Sequence, residues 1–450
     1  MNDPGTERRH EPEGEGGSLA VLTVLALIVG AISGALVAVF IIVLERADRL
    51  REAFVGWAHA HGSGGFWLLV LACAAAAAAA AALVRRISPQ AAGSGIPHVE
   101  ALLNGQLPEA RFRIIPVKFV GGALAIGSGL ALGREGPSVH MAATLGQLIG
   151  KIFRRGWPDC RVLLAAGAGA GLATAFNAPI AGGVFVLEEL VRRFELRIAI
   201  AALGASAAAI SVSRSILGDA PDFHLGALVP PGPAVRPLFF ILGALAGLIG
   251  VLYNRALLQT MATIDRFRLP VEARAGLIGA GVGLLAWFLP GLVGGGDPIT
   301  QRTLLGAGTL AALPLAFLLR FALGAVSYSA GTPGGLFAPM LALGAQFGLV
   351  FGLAARLAFP GLDIQPEGFA AVGMAALFTG VVRAPLTGIV LATEMTADVT
   401  MLLPMLGACA MAMLTPTLIK DPPIYDSLRE RAVNQEKARL ERERAVRAEV

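Results

Sequence analysis

The stretch VLLAAGAGAGLATAFNAPIAGGVFVL, residues 162–187, carries no charge over 26 positions, long enough for a spanning helix. Asn177-Ala178-Pro179 interrupts it. Proline lacks the N–H that a helix interior needs and clashes with the preceding turn, so the stretch reads as two helices with a break between them. The run at 321–355 is broken in the same way by Gly331-Thr332-Pro333-Gly334-Gly335. Non-helical backbone at membrane depth survives only where protein or a water-filled cavity satisfies its N–H and C=O groups. These breaks predict short and re-entrant helices around an internal site.

Outward from that stretch, further uncharged runs lie at 19–44, 67–84, 198–213, 237–254, 275–296 and 399–419. The first is longer than the roughly 7 to 15 residue core of a secretory signal and reads as part of the mature chain. The alanines at 74–82 read as close-packing filler in a helix. Composition points the same way: of 450 residues, 55% are hydrophobic and 15% charged, against about 25% charged in a soluble domain. Seven charges sit in residues 1–17 and fourteen in 421–450, which leaves the middle poorer still. The chain is therefore expected to be an all-α, polytopic membrane protein. The net charge of +5 does not point to a nucleic-acid surface, because basic residues come in pairs between apolar runs, such as Arg85-Arg86, Arg154-Arg155 and Arg192-Arg193, which read as loop anchors. Cys73, Cys160 and Cys409 form no Cys-x-x-Cys and read as plain buried thiols.

The broken stretch also repeats. Phe176-Asn177-Ala178-Pro179-Ile180-Ala181-Gly182 matches Val382-Arg383-Ala384-Pro385-Leu386-Thr387-Gly388, 206 residues on, which sets Glu188 opposite Glu394. At an offset of 202, Gly133-Arg134-Glu135-Gly136-Pro137 lies over Gly335-Leu336-Phe337-Ala338-Pro339, and Gly146 over Gly348. Two similar halves with interrupted helices in corresponding places are what a transporter with its site at the repeat interface shows. The halves are expected at roughly 18–220 and 235–420 of a membrane domain spanning 18–425; the repeat alone leaves parallel and inverted arrangements open.

Three Gly/Pro-rich segments carry the chemistry: Gly93-Ser94-Gly95-Ile96-Pro97, Gly133-Arg134-Glu135-Gly136-Pro137 and Gly335-Leu336-Phe337-Ala338-Pro339. Each ends in a proline opening an apolar stretch, and proline suits a first helical turn, so each reads as a helix N-terminus. There the unpaired N–H groups and the positive end of the dipole favour anions, by about 0.3–1 kcal/mol at a surface and more where water is excluded. Several such ends together could replace part of a lost hydration shell.

In order and spacing these segments resemble the signature motifs of the CLC family of chloride channels and chloride/proton antiporters. Pro116-Val117-Lys118-Phe119, residues 176–182, 330–343 and 383–388, and Glu394-Met395-Thr396 are similar too, so that the resemblance covers roughly 91–425. It implies two inverted-topology helical halves with broken and re-entrant helices, a homodimer with one pore per subunit, and an anion site near the midplane. It places the chain in the cell (inner) membrane, multi-pass, with both termini cytoplasmic. Charge counting does not settle that orientation, because Arg46, Arg49 and Arg51 compete with Arg85-Arg86.

Carried over residue by residue, the resemblance implies that Ser94 and Tyr425 offer hydroxyls to the anion, and Leu336 and Phe337 their backbone N–H groups. Neutral donors make a shallower well than a lone cation and let the ion leave. Taken without the resemblance, Ser94 reads as a helix N-cap and Tyr425 as an interfacial belt residue. Ser94, where some relatives carry proline, suggests chloride over nitrate. A carboxylate within a membrane segment costs about 2.5–3.5 kcal/mol, so Glu135 needs either a partner, such as Arg134, or a function. Beside an anion site it can mimic the transported ion, while like-charge repulsion and desolvation favour its protonation when an anion arrives. The resemblance makes it the gate. Glu189 reads by itself as a solvated helix end before Arg192-Arg193; the resemblance makes it the internal proton-transfer glutamate of the antiporters. Glu188, and a pair of Glu100 with Lys118, are candidates for supporting roles.

Gly167-Ala168-Gly169-Ala170-Gly171 lacks the spacing and preceding strand of a dinucleotide site, and no Walker A segment occurs, so no nucleotide and no cofactor is expected. His59 and His61 are a weak metal signal, and His98 and His140 read as helix polar groups, so no metal is expected. The tail at 426–450 has no room for paired regulatory domains. The reading is of no enzyme but a chloride/proton antiporter, whose partners are chloride, protons, the lipid bilayer and a second copy of itself. A passive channel of the same fold is the alternative. An intramembrane hydrolase lacks Gly-x-Ser-x-Gly and His-Glu-x-x-His.

Overall fold

The computed structural model describes residues 19–267 and 269–448; the expected N-terminal segment 1–17 lies outside them. Eight helices form the first half: α1 (Leu19–Ala60), α2 (Gly62–Ile87), α3 (Ile96–Leu103), α4 (Ile114–Gly127), α5 (Glu135–Ile152), α6 (Trp157–Ala175), α7 (Pro179–Phe185) and α8 (Leu196–Leu217). Eight more repeat the pattern: α9 (Arg236–Arg266), α10 (Val271–Phe288), α11 (Asp297–Leu304), α12 (Leu313–Tyr328), α13 (Phe337–Ala358), α14 (Pro366–Val382), α15 (Pro385–Thr396) and α16 (Leu402–Leu418). The tail is α17 (Ile424–Ala448), so Tyr425 lies in its first turn. Six of these helices are long and apolar enough to cross a membrane. As the breaks required, the run at 162–187 divides into α6 and α7, and that at 321–355 into α12 and α13.

Small residues let the long helices close up. Gly30 and Gly34 on α1 face Ala205 and Ala209 on α8, and a Cβ at Gly30 would lie 2.2 Å from the Ala205 carbonyl oxygen. The other half packs likewise: Gly243 and Gly247 on α9 face Ala408 and Ala412 on α16. Both pairs are Gly-x-x-x-Gly, the spacing that brings membrane helices into backbone contact. The polyalanine stretch of α2 serves α10 in this way, through Gly279 against Ala74 and Ala77.

Reciprocal bonds relate the halves by a pseudo-two-fold axis. Gly133 and Gly335, equivalent in the repeat, pair antiparallel, N–H to O at 2.9 Å one way and 2.7 Å the other. The Glu188 carboxylate accepts from the N–H groups of Leu386 and Thr387 at the start of α15, at 2.9 and 2.6 Å. Its equivalent Glu394 accepts from Ile180 and Ala181 at the start of α7, at 3.0 and 2.8 Å. Exchanges of this kind between equivalent residues require a two-fold axis, which the expected inverted halves have when that axis lies in the membrane plane.

Candidate functional site

The three Gly/Pro segments meet at one buried place between the halves. Gly93 donates to the Thr332 carbonyl at 3.1 Å and accepts from Gly334 N–H at 3.0 Å, which joins the first segment to the third. The Gly133–Gly335 pair joins the second to the third. Ser94 lies against Gly136, where a Cβ would stand 2.5 Å from the serine Oγ, and this joins the first to the second. Each segment leads into a helix start: Pro97 stands in the first turn of α3, Pro137 of α5 and Pro339 of α13. Glycine is needed at Gly93 and Gly95, whose φ values of 59° and 90° are left-handed.

The expected anion donors gather here. Ser94 and Tyr425 are buried, their hydroxyls lie near each other, and neither makes a well-formed hydrogen bond among the described residues. Ser94 is not the N-cap of α3, a position held by Gly95, and Tyr425 is no belt residue, being fully buried. The N–H groups of Leu336 and Phe337 sit at the α13 start, where first-turn donors have no intrahelical partner. Phe337 stacks over Tyr425 with ring centroids 5.9 Å apart and touches Phe176, Phe185 and Phe378, an apolar shell that keeps water away.

Glu135 opens α5 fully buried. Its carboxylate fills the space over the central glycine pair: a Cβ on Gly133 would lie 2.1 Å from Oε2 and one on Gly335 3.0 Å from it. Among the described residues neither oxygen makes a well-formed hydrogen bond and no cation pairs with it. The expected alternative, an ion pair with Arg134, is not formed, because that guanidinium turns to Asp222 at 3.2 Å and Asp297 at 3.5 Å.

Glu189 is buried and not a solvated helix end. It lies on a π-helical turn, Val186–Leu190, and pairs with Arg192 at 3.3 Å. Arg192 also reaches Asp426 at 2.8 Å and Glu100 at 3.4 Å, and Arg429 of α17 pairs with both acids. The pair expected between Glu100 and Lys118 does not exist: Glu100 takes these arginines, while Lys118 donates to the Gly93 carbonyl. A cavity of about 620 Å³ opens onto Glu188 and Glu189. Another, of about 400 Å³, reaches Ser94 past Arg85, Arg274 and Arg431, and a third, of about 150 Å³, reaches Glu135 past Glu45, Asp48 and Asp297.

Helix starts converging on buried hydroxyls, with two buried glutamates, describe an ion path. The description of the voltage gated chloride channel family, CLC, matches residues 74–417. The chain belongs to that family. Among its CLC relatives, the H(+)/Cl(-) exchange transporter ClcA of Vibrio cholerae serotype O1 (strain M66-2) is 41% identical over 362 residues, 79% of this chain and 77% of that protein. The transporter of the same name from Vibrio parahaemolyticus is 40% identical over 366 residues, 79% of this chain and 78% of the other. A solved structure of a slow cyanobacterial Cl-/H+ antiporter is 33% identical with a TM-score of 0.89, covering 92% of this chain and 99% of that one. A CLC-type fluoride/proton antiporter, at 22% identity and a TM-score of 0.76, shares the fold. As a CLC protein with these apolar helices, the chain is a multi-pass membrane protein.

One feature of this CLC site escaped sequence reading: a third repeat match. Gly294-Gly295-Gly296-Asp297-Pro298 is the second-half copy of Gly93-Ser94-Gly95-Ile96-Pro97, with left-handed Gly294 and Gly296 in the places of Gly93 and Gly95. Buried Arg320 donates to the Gly294 carbonyl at 2.7 Å, as Lys118 does to Gly93 at 2.6 Å. The proline two residues after a glycine was the available signal, and Asp297 in the place of Ile96 hid it.

Proposed function

We propose that this CLC protein is a secondary-active chloride/proton antiporter. Chloride sits between the Ser94 and Tyr425 hydroxyls and the Leu336 and Phe337 N–H groups, dipoles that hold it without a full countercharge. Glu135 competes for that path as a carboxylate and leaves it when protonated. Glu189 passes the proton to the other face through the cavity at Arg192. The observation that carries the reading is the Glu135 carboxylate, buried without a cation over the Gly133–Gly335 pair where the three segments meet. The same resemblance supports a homodimer in the lipid of the inner membrane, with α17 and the N-terminal segment cytoplasmic, and a membrane domain of 18–425.

The protein reconstituted in vesicles tests this. An imposed chloride gradient is expected to drive protons uphill, and a proton gradient to pump chloride. Chloride passing without protons would make it a passive channel and overturn the reading. Glu189→Gln is expected to abolish proton movement, chloride continuing to cross; loss of both fluxes in a folded variant would remove Glu189 from the proton path.

A further inference from the structure

Arg134 precedes Glu135 in the chain and is the natural cation for a desolvated carboxylate, yet it is held elsewhere on three sides. Its Nε donates to the Ala175 carbonyl at 3.0 Å, and its terminal nitrogens lie 3.2 Å from Asp222 Oδ2 and 3.5 Å from Asp297 Oδ2. Both aspartates come from outside the first half's helices and are anchored independently. Asp222 lies in the connection between the halves, where the next residue, Phe223, donates to the Met395 carbonyl at 2.9 Å. Asp297 opens α11 after a loop whose carbonyls, Leu292, Gly294 and Gly295, all accept from Arg320 at 3.0, 2.7 and 3.1 Å.

We propose that Asp222 and Asp297 are positioning residues, a clamp that keeps the Arg134 guanidinium off Glu135 so that this carboxylate stays free to trade its place for an anion. The inference rests on Glu135 being the gate. Unclamped, Arg134 pairs with Glu135, holds it deprotonated in the path, and makes opening demand a higher proton concentration. The other charged and titratable groups facing this place are Glu45, Asp48, Arg51 and Glu52 from α1, Arg302 from α11 and Tyr425 from α17. Arg51 is already tied to Asp48 and to the carbonyls of Ile126 and Gly127, at 3.4 and 3.3 Å, and Arg302 is exposed, so Arg134 is the cation the clamp has to control.

Chloride flux into vesicles against external pH decides it, measured for Asp297→Asn, Asp222→Asn and the double variant, each with Arg134 and with Arg134→Gln. The double variant is expected to move the profile about one pH unit toward acid, the effect of bringing an opposite charge to a carboxylate. Asp297→Asn, at a half-exposed position, is expected to move it part of the way. With Arg134→Gln, removing the aspartates is expected to change nothing further. An unmoved profile, an alkaline shift, or an acid shift that persists with Arg134→Gln overturns the clamp, the last meaning that the aspartates act on Glu135 by their own field. If the wild type passes chloride without protons, the antiport reading fails, and the same profiles still judge the clamp, because chloride flux alone is read.

Discussion

Tyr425 and Ser94 show what single residues contribute. A buried hydroxyl without a partner costs about 1–3 kcal/mol, and two side by side are a poor use of a core unless a ligand takes their bonds. Tyr425→Phe keeps the ring on Phe337 and deletes one donor, so chloride affinity by calorimetry is expected to fall about fivefold, near 1 kcal/mol, with thermal stability unchanged or raised. An unchanged affinity would remove the phenol from the anion site. Tyr425 lies outside the three motifs and only the family resemblance pointed to it, whereas Ser94 was legible because it sits inside a short motif whose glycines and proline announce a helix start. The partners of Arg134 were not: Asp222 is 88 positions away, and nothing local separates an arginine that will meet its neighbouring glutamate from one drawn off by a distant loop. The missed ion partners of Glu100 have the same cause, since Arg429 stands 329 positions on.

At the scale of elements, an uncharged run shows that a helix can sit in lipid but not which of its faces meets another helix. The Gly-x-x-x-Gly pairs of α1 and α9 stood in view in the runs at 19–44 and 237–254, and only the fold reveals that both seat an alanine-lined helix against bare backbone. Gly30→Val is expected to lower the thermal midpoint of the protein in detergent, since its Cβ would fall 2.2 Å from the Ala205 oxygen and overpacking costs about 1–3 kcal/mol. Gly204→Ala on α8 is the contrast: its nearest neighbour, Leu27 Cδ2, is 3.7 Å off, and a helical alanine is worth about 0.5–1 kcal/mol over glycine, so a rise is expected. Equal losses in the two would contradict close packing of α1 on α8. The π-turn at Val186–Leu190, from which Glu188 reaches the start of α15, had no sequence signal.

For the whole molecule, the inverted halves place their equivalent broken segments back to back, and the site lies where glycines leave no side chain to keep the segments apart. Gly133 and Gly335 are hydrogen-bonded to each other there, and the Glu135 carboxylate rests on both. The offset of 202 in the sequence already matched these glycines; that they would touch required knowing the axis to be a two-fold. A methyl group at either position tests whether the carboxylate's resting place is what couples the ions. At Gly133 the new Cβ would be 2.1 Å from Oε2, so Glu135 cannot rest there at all; at Gly335 it would be 3.0 Å from Oε2, which the carboxylate can yield by a few tenths of an ångström, and 2.9 Å from the Gly136 backbone nitrogen, so that clash falls on the backbone and not on the carboxylate's place. Proton flux driven by a chloride gradient is therefore expected to be lost in Gly133→Ala and only reduced in Gly335→Ala, both proteins remaining folded by size-exclusion and circular dichroism. The reverse order, or full coupling in Gly133→Ala, would mean that proton exchange does not need the carboxylate over the glycine pair, and the gate would have to be sought in another conformation of Glu135.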